Sequence, residues 1–218
     1  MQRSNDRHKD DRVKVSVIMP CHNHADMIGE AIDSVTSQKY RPINIVIIND
    51  GSDDNPGKVV KEKIESNKND SELNIFYLEN TTPTGPSAAR NKAIKHAWEF
   101  SDVFMMLDCD DRYLDGKIKK SIDAYEYDKE SIGIVYSDAV IQNTKTGTKI
   151  HEFRQPYERM ELESECIISN TPMISKTAIS KCGGYDEEMR TCEDWDLWLR
   201  ITEKFLAVHI PEPLHIYS

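Results

Sequence analysis

The chain lacks any long apolar run. Nowhere do its residues approach the roughly 18 to 20 consecutive apolar positions that a membrane-crossing helix requires, so no transmembrane segment is expected. Residues Met1 to Arg12 are polar and mixed in charge, without the apolar centre of a secretory signal, and read as a frayed tail. Positive charge is in short supply: 28 Lys and Arg face 38 Asp and Glu, a net charge of -10. A nucleic-acid surface needs clustered cations, so no nucleic-acid partner is expected. The 5 cysteines are odd in number, and no two of Cys21, Cys109, Cys166, Cys182 and Cys192 have CxxC spacing. That argues for a reduced, cytoplasmic setting over a disulfide framework or a zinc site. The glycine-rich phosphate fingerprints GxGxxG and GxxxxGK[ST] are also missing, which counts against a Rossmann dehydrogenase and a P-loop NTPase.

What the chain does contain is a strand–helix alternation. Val13 to Met19 alternates and is β-branched, then stops at Pro20. Asn23 is placed to cap a helix with Met27, Ile28, Ala31, Ile32 and Val35 along one stripe. Ile43 to Ile48 is nearly all apolar, the pattern of a strand covered on both faces in a parallel sheet. A charged helix near Gly57 to Ser66, a strand near Leu73 to Leu78, a helix opened by Gly85-Pro86-Ser87 and a strand Val103 to Leu107 follow. The order predicts an α/β fold with a mostly parallel, doubly wound sheet and ligands gathered beyond the strands' C-terminal ends. From about Ile132 the grammar changes. Strands Ile134 to Val140 and Lys149 to Phe153 flank a hairpin turn; helices Ser175 to Lys181 and Glu193 to Lys204 and a strand Leu206 to Ile210 complete an α+β extension. Residues 155–171 carry no readable motif.

Three of the predicted strand ends carry acids or turn residues: Pro20-Cys21-His22-Asn23, Asp50-Gly51-Ser52-Asp53 and Asp108-Cys109-Asp110-Asp111. In a parallel sheet these ends share one edge. Carboxylates packed this closely raise one another's pKa unless a cation sits among them. Hard divalent ions take oxygen ligands and commonly share one or two carboxylates with a nucleotide's phosphates. The bland alternative is a solvated loop or a helix N-cap. An EF-hand loop is disfavoured, because Arg112 and Tyr113 stand where an oxygen ligand and a glycine are wanted.

The segments VSVIMPCHNHADMIGEAIDSVTSQ, IVIINDGSDD, GPSAARNKAI, MLDCDD and CEDWDLWLR resemble, in that order, the successive blocks of the family 2 glycosyltransferases with the GT-A fold. The likeness runs from about Val13 to Ile216. It implies a single GT-A catalytic domain over residues 13–218, with a nucleotide-sugar half (13–115) and an acceptor half (116–218), and leaves open whether the chain is truncated at its C-terminal end or is the front domain of a longer protein. It also implies a metal-dependent, inverting transfer of a hexose or N-acetylhexosamine from a nucleotide-sugar, a UDP-sugar first, to an acceptor hydroxyl. Glycan, lipid-linked or protein acceptors all fit, and so does peripheral association with the inner face of a membrane.

By the same resemblance, Pro20, Cys21 and Asn23 line the nucleotide pocket, although the family more often has an aromatic where Cys21 stands. Asp50 binds the base, with Ser52 and Asp53 nearby; Arg90 faces the nucleotide from a helix N-terminus, where physics also favours negative charge. Asp108-x-Asp110 matches the DxD motif. Asp110 is the direct ligand of Mn2+ or Mg2+, Asp108 contacts ribose or metal-bound water, and Asp111 is a second possible ligand. Asp194 is implied as catalytic base and Glu193 as its orienting or acceptor-contacting neighbour. On periodicity alone both would be first-turn acids favoured by the helix dipole. Trp195, Trp198 and Leu199 read as core anchors and Asp196 as the partner of Arg200 across one turn. His209 and His215 are candidates for an added metal ligand, against the plainer reading as ordinary polar residues. A sugar-1-phosphate nucleotidyltransferase would need a glycine-rich basic loop after the first strand, where this chain has Pro20-Cys21-His22-Asn23. A non-catalytic nucleotide- or glycan-binding module is the remaining alternative.

Overall fold

The computed structural model describes residues 11–218. The tail assigned to residues 1–12 falls outside the described residues as far as residue 10. Arg12, by contrast, is tied down, donating to the Arg41 carbonyl at 3.0 Å and pairing with Glu72.

Four apolar, β-branched segments build the parallel half: β1 (Val15–Cys21), β2 (Ile43–Asp50), β3 (Leu73–Asn80) and β4 (Val103–Met106), in spatial order β3-β2-β1-β4. Every position of β2 is buried, because helices cover both faces of the sheet. The crossovers are α1 (Ile28–Thr36), α2 (Pro56–Asn67) and α3 (Pro86–Ala97). Alternation along each strand sends neighbouring side chains to opposite faces. Val15, Val17 and Met19 pack with Ile28, Ala31 and Ile32 of α1, while Ile18, Val46 and Ile48 pack with Ala89 and Ala93 of α3.

Asn23 does not cap α1. The helix starts at Ile28, and Asn23 adopts φ 57° and uses its side-chain oxygen to accept the Asp53 N–H at 2.9 Å. A short amide side chain tolerates this left-handed geometry, and here it fastens one loop to the next instead of starting a helix.

The second half is no separate layer; it continues the same sheet. Its elements are β5 (Arg112–Tyr113), α4 (Lys117–Glu126), β6 (Ile132–Gln142), β7 (Lys149–Glu152), α5 (Arg159–Ser164), β8 (Met173–Ser175), α6 (Lys176–Cys182), α7 (Glu193–Thr202) and β9 (Leu206–Tyr217). Strand β8 lies between β4 and β6 and runs antiparallel to both. The full order is β3-β2-β1-β4-β8-β6-β9-β5, with β7 hairpinned onto β6. The result is an α/β fold on one mixed sheet whose first half is wholly parallel. Strand β9 runs on past Ile210 to Tyr217. Pro211 and Pro213 cannot donate to the ladder, and the register shifts between Ser137 and Asp138 of β6 where they pass.

Trp198 is fully buried, with Tyr185 edge-on at 6.3 Å, as its helical spacing predicted; Trp195 and Leu199 are partly buried against the same cluster. Among the described residues no helix is long and apolar enough to cross a membrane. The Ser175 hydroxyl caps α6 by accepting the Ala178 N–H at 3.1 Å. Ser175→Ala should therefore cost about 1 kcal/mol, read as a lower denaturant midpoint at unchanged slope.

Candidate functional site

The strand order reverses direction of growth between β1 and β4, and in open α/β sheets ligands bind in the crevice at such a point. A cleft of about 340 Å3 opens there, lined by Pro20 and Cys21 from β1 and His22 just after it, Asp50 from β2, Gly85 and Arg90 from the start of α3, and Asp108 to Asp110 beyond β4.

Asp50 is 5% exposed and fully engaged. Its carboxylate accepts from Asn80 Nδ2 at 2.7 Å, Thr84 N at 2.9 Å, Thr84 Oγ1 at 2.8 Å and Gly85 N at 2.8 Å. Burial pushes its pKa up, but these donors outweigh burial and hold it below the ordinary carboxylate value. Its immediate role is thus to pin the 80–85 loop over one wall of the cleft. The loop passes so close that a Cβ on Gly51, at φ 67°, would sit 2.6 Å from Pro83 N.

Asn23, Ser52 and Asp53 are not cleft-lining. They lace the β1 and β2 loops together: Asn23 N donates to Ser52 Oγ at 3.0 Å, and Asp54 takes the Ala25 N–H at 2.7 Å. His22 completes the lacing through Nδ1, 2.8 Å from the Asp50 carbonyl oxygen.

Arg90 is the hub. It is 8% exposed, donates through one arm to Asp108 Oδ1 at 2.8 Å and through the other to Glu193 Oε1 at 2.9 Å, and stacks over the Tyr185 ring at 5.4 Å. Burial opposes its charge, yet Asp108 above all, with Glu193, drives its pKa further up, so the guanidinium stays charged. A planar fork that binds two carboxylates at once is a geometry only arginine offers.

The three acids of the cluster separate. Asp108 is held by Arg90. Asp110 faces the cleft and makes no hydrogen bond or ion pair among the described residues. Asp111 does not fit the expected role of a second metal ligand. The backbone turns, with the Asp111 N–H donating to the Asp108 carbonyl at 3.0 Å, and the side chain enters the interior at 1% exposure. There its oxygens accept from Asn170 Nδ2 at 3.0 Å and Ser218 N at 3.1 Å, and burial lifts its pKa to about 7.

Neither His209 nor His215 lines the cleft. His209 Nε2 lies 2.8 Å from Asp138 Oδ1, with His151 on the other oxygen at 3.1 Å. His215 is 1% exposed, and burial, then Lys117, push its pKa down to about 2. Among the described residues no three His, Cys, Asp or Glu side chains converge as a ready-made metal cage. The donor set of Asp110 with Asp108 nevertheless suits a hard divalent ion, which keeps waters and completes its shell with substrate phosphate oxygens.

Helix α7 brings the last acids. Cys192, at φ 61°, turns the chain into the helix so that Glu193 meets Arg90 and Asp194 stands beside it, half-buried. Burial raises the pKa of Asp194; the Trp195 N–H at 2.8 Å pulls the other way, and neighbouring Glu193 pushes it up. Asp196 is structural: it accepts from Arg200 Nε at 2.8 Å, and Arg200 also holds the Cys182 and Gly184 carbonyls.

Sequence reasoning missed the loop Asn80 to Gly85 as the partner of Asp50, and Tyr185 as the face under Arg90. Turn grammar in Thr81-Thr82-Pro83-Thr84-Gly85 marks a loop, but nothing local names the carboxylate it will embrace.

The family model for Glycosyl transferase family 2 matches residues 16–183. An uncharacterized glycosyltransferase of Rickettsia typhi is 31% identical over 204 residues, covering 89% of this chain and 59% of the relative. Among solved structures, S. aureus TarS 1-349 in complex with UDP-GlcNAc superposes with a TM-score of 0.73 at 19% identity, over 94% of this chain and 58% of that one. The mannosyltransferase PcManGT from Pyrobaculum calidifontis, in complex with GDP-Man and Mn2+, gives 0.72 at 17% identity, over 95% of this chain and 57% of that one. The chain therefore spans less than two thirds of the length of each of these three proteins. The likeness to the two solved structures establishes a GT-A-like fold.

Proposed function

The chain belongs to glycosyl transferase family 2, and from that premise we propose that it moves a sugar, a hexose or N-acetylhexosamine, from a nucleotide-sugar to an acceptor hydroxyl with inversion at the anomeric carbon. One observation carries the reading. Arg90 ties Asp108, at the floor of the cleft, to Glu193, at the N-terminus of the helix that holds Asp194. The donor-side acids and the acceptor-side acids thereby form one network across the two halves of the domain.

The uncommitted Asp110, with Asp108, would hold Mn2+ or Mg2+. Bound there, the ion supplies Lewis-acid neutralisation of charge on the leaving nucleotide diphosphate. The chain's own groups do the rest. Pro20, Cys21 and the Asp50-pinned loop wall the nucleotide side, and α3 presents its N-terminus to that side of the cleft. Asp194 accepts the proton of the acceptor hydroxyl as its oxygen forms the bond to the anomeric carbon and the bond to the diphosphate oxygen breaks. Glu193, fixed by Arg90, keeps Asp194 in place. Raised basicity suits this role, since a general base works best with a pKa nearer the working pH. The donor in the TarS structure is UDP-GlcNAc and that in the mannosyltransferase is GDP-Man, so uridine is the first base to test and guanosine the second.

The test is a panel of UDP- and GDP-sugars with Mn2+, followed by thermal shift and donor hydrolysis. One nucleotide-sugar class should raise the melting temperature by mass action, about 2.7 kcal/mol of stabilisation at a hundredfold excess over Kd. Excess chelator should abolish both the shift and hydrolysis. Hydrolysis undiminished by chelator would refute the metal role; a flat response to the whole panel would refute the donor assignment.

A further inference from the structure

The cleft also contains a pair of thiols that the proposed chemistry does not use. Cys21 closes β1, and Cys109 sits between Asp108 and Asp110 just beyond β4. β1 and β4 are adjacent and parallel, with Ile18 opposite Met106, and the pairing continues as the Leu107 N–H donates to the Ile18 carbonyl at 3.1 Å. Beyond that point the chain turns at residues 108–111, and Cys21 and Cys109 come together at the ends of the two strands, in one buried cluster and within interaction range of each other. Both residues line the cleft, although Cys21 is 1% and Cys109 3% exposed, so a small solute reaches them only through the donor site. A disulfide accepts Cα separations of about 4.4 to 6.8 Å, a range that brackets the spacing of about 4.8 Å between adjacent strands, at whose ends both cysteines sit. Both thiols are reduced in this structure.

We infer that Cys21 and Cys109 form a redox-active dithiol in the donor cleft, which a peroxide closes to a disulfide and which, once closed, prevents nucleotide binding. The chemistry balances with peroxide as the only added reactant. One thiol sulfur attacks a peroxide oxygen, forming S–O as O–O breaks, and water leaves with the thiol proton. The second sulfur then attacks the first, forming S–S as S–O breaks, and a second water departs. Two thiols and one hydrogen peroxide give one disulfide and two waters, an exchange that a dithiol reductant reverses. Closure shuts the site because Cys109 is bonded directly to both cleft-facing acids. Drawing its sulfur into covalent distance of Cys21 moves Asp108 against Arg90 and moves Asp110, and displacement by about 1 Å costs on the order of 100-fold where geometry sets the chemistry. The consequence for binding rests on the nucleotide-sugar reading of the cleft; the disulfide itself does not.

The experiment takes the full chain, treats it with hydrogen peroxide, blocks remaining thiols with an alkylating agent and maps it with trypsin. The expected result is a linkage between the tryptic peptides Val15–Lys39 and His96–Arg112. The whole chain should lose about 2 Da, reversed by dithiothreitol. UDP or GDP affinity with Mn2+ should fall at least about tenfold and return on reduction. The triple variant Cys166→Ser, Cys182→Ser, Cys192→Ser, which leaves only the cleft pair, should give the same linkage. Peroxide that leaves Cys21 and Cys109 free, or oxidises them separately, overturns the dithiol. A complete linkage with unchanged nucleotide affinity overturns the shut-off. If the linkage forms but the reduced chain binds neither nucleotide, the shut-off fails together with the functional reading, while the linked peptide upholds the dithiol.

Discussion

Asp194→Asn should lower turnover by about 10²–10⁴-fold, the range that general-base help supplies, while leaving nucleotide binding unchanged. The amide keeps the size and can still accept the Trp195 N–H, so α7 starts as before. What it cannot do is take the acceptor's proton. On the proposed reading, substrate and metal are held elsewhere, by β1, the loop that Asp50 pins and the Asp108–Asp110 segment that line the cleft, so the loss belongs in kcat. The pH profile sharpens the test. Burial raises the Asp194 pKa above the usual carboxylate value. The base works only when deprotonated, so activity is lost as pH falls, and this acid limb lies above the ordinary carboxylate range. In the Asn variant that limb should vanish from the residual rate. Stability should move the opposite way or not at all: burial disfavours the charged form, so removing the charge relieves the fold at any pH where Asp194 is ionised. Unchanged turnover in a folded Asn variant would defeat the assignment. Glu193→Gln is the companion measurement, because it loosens the Arg90 contact without touching the base, and its effect should be smaller and lack the pH signature.

The parallel half of the fold was legible because its signals are local. Ile43 to Ile48 is apolar at nearly every position, which only a strand covered on both faces tolerates. Pro86 opens α3 and Gly183 ends α6, each by a backbone preference that needs no partner. Elements whose signals are weak or contradictory stayed hidden. Helix α4 has three lysines and two acids in its ten residues, and a fully buried Lys117 occupies one of its core positions, held by Ser137 Oγ at 3.0 Å. Strand β8 is three residues long, too short for any period. It nevertheless decides that the second half extends the sheet. The site divides in the same way. Acids at the ends of strands converge by topology, so Asp50, Asp108 and Asp110 could be placed together from the element order alone. The inward turn of Asp111 could not, because it depends on Asn170 and Ser218, residues 59 and 107 positions away.

The contact least visible in sequence, Arg90 with Glu193 across 103 positions, should be among the most costly to remove. Arg90→Met preserves much of the buried volume and deletes the charge. Asp108 and Glu193, with side chains 27% and 14% exposed, would then face each other without a counter-charge. Breaking such a pair from one side costs about 3–5 kcal/mol when it is buried, and partial exposure of the acids places this case at the lower end. About 3 kcal/mol corresponds to a fall in Tm of roughly 6–12 °C for a domain of this size. Activity should fall as well, because Glu193 and Asp108 lose their common anchor. Stability and function are separable by a second variant. Arg90→Met combined with Glu193→Gln removes one of the orphaned charges, so Tm should recover in part and the double-mutant cycle should show coupling. Turnover should not recover, since the bridge between the cleft and the helix that holds Asp194 is still absent. Arg90→Lys completes the series: an ammonium keeps the charge but cannot fork to two carboxylates in one plane, so it should restore more stability than activity. Equal recovery of both by Lys would mean that charge alone matters at this position, and that the bidentate geometry does not.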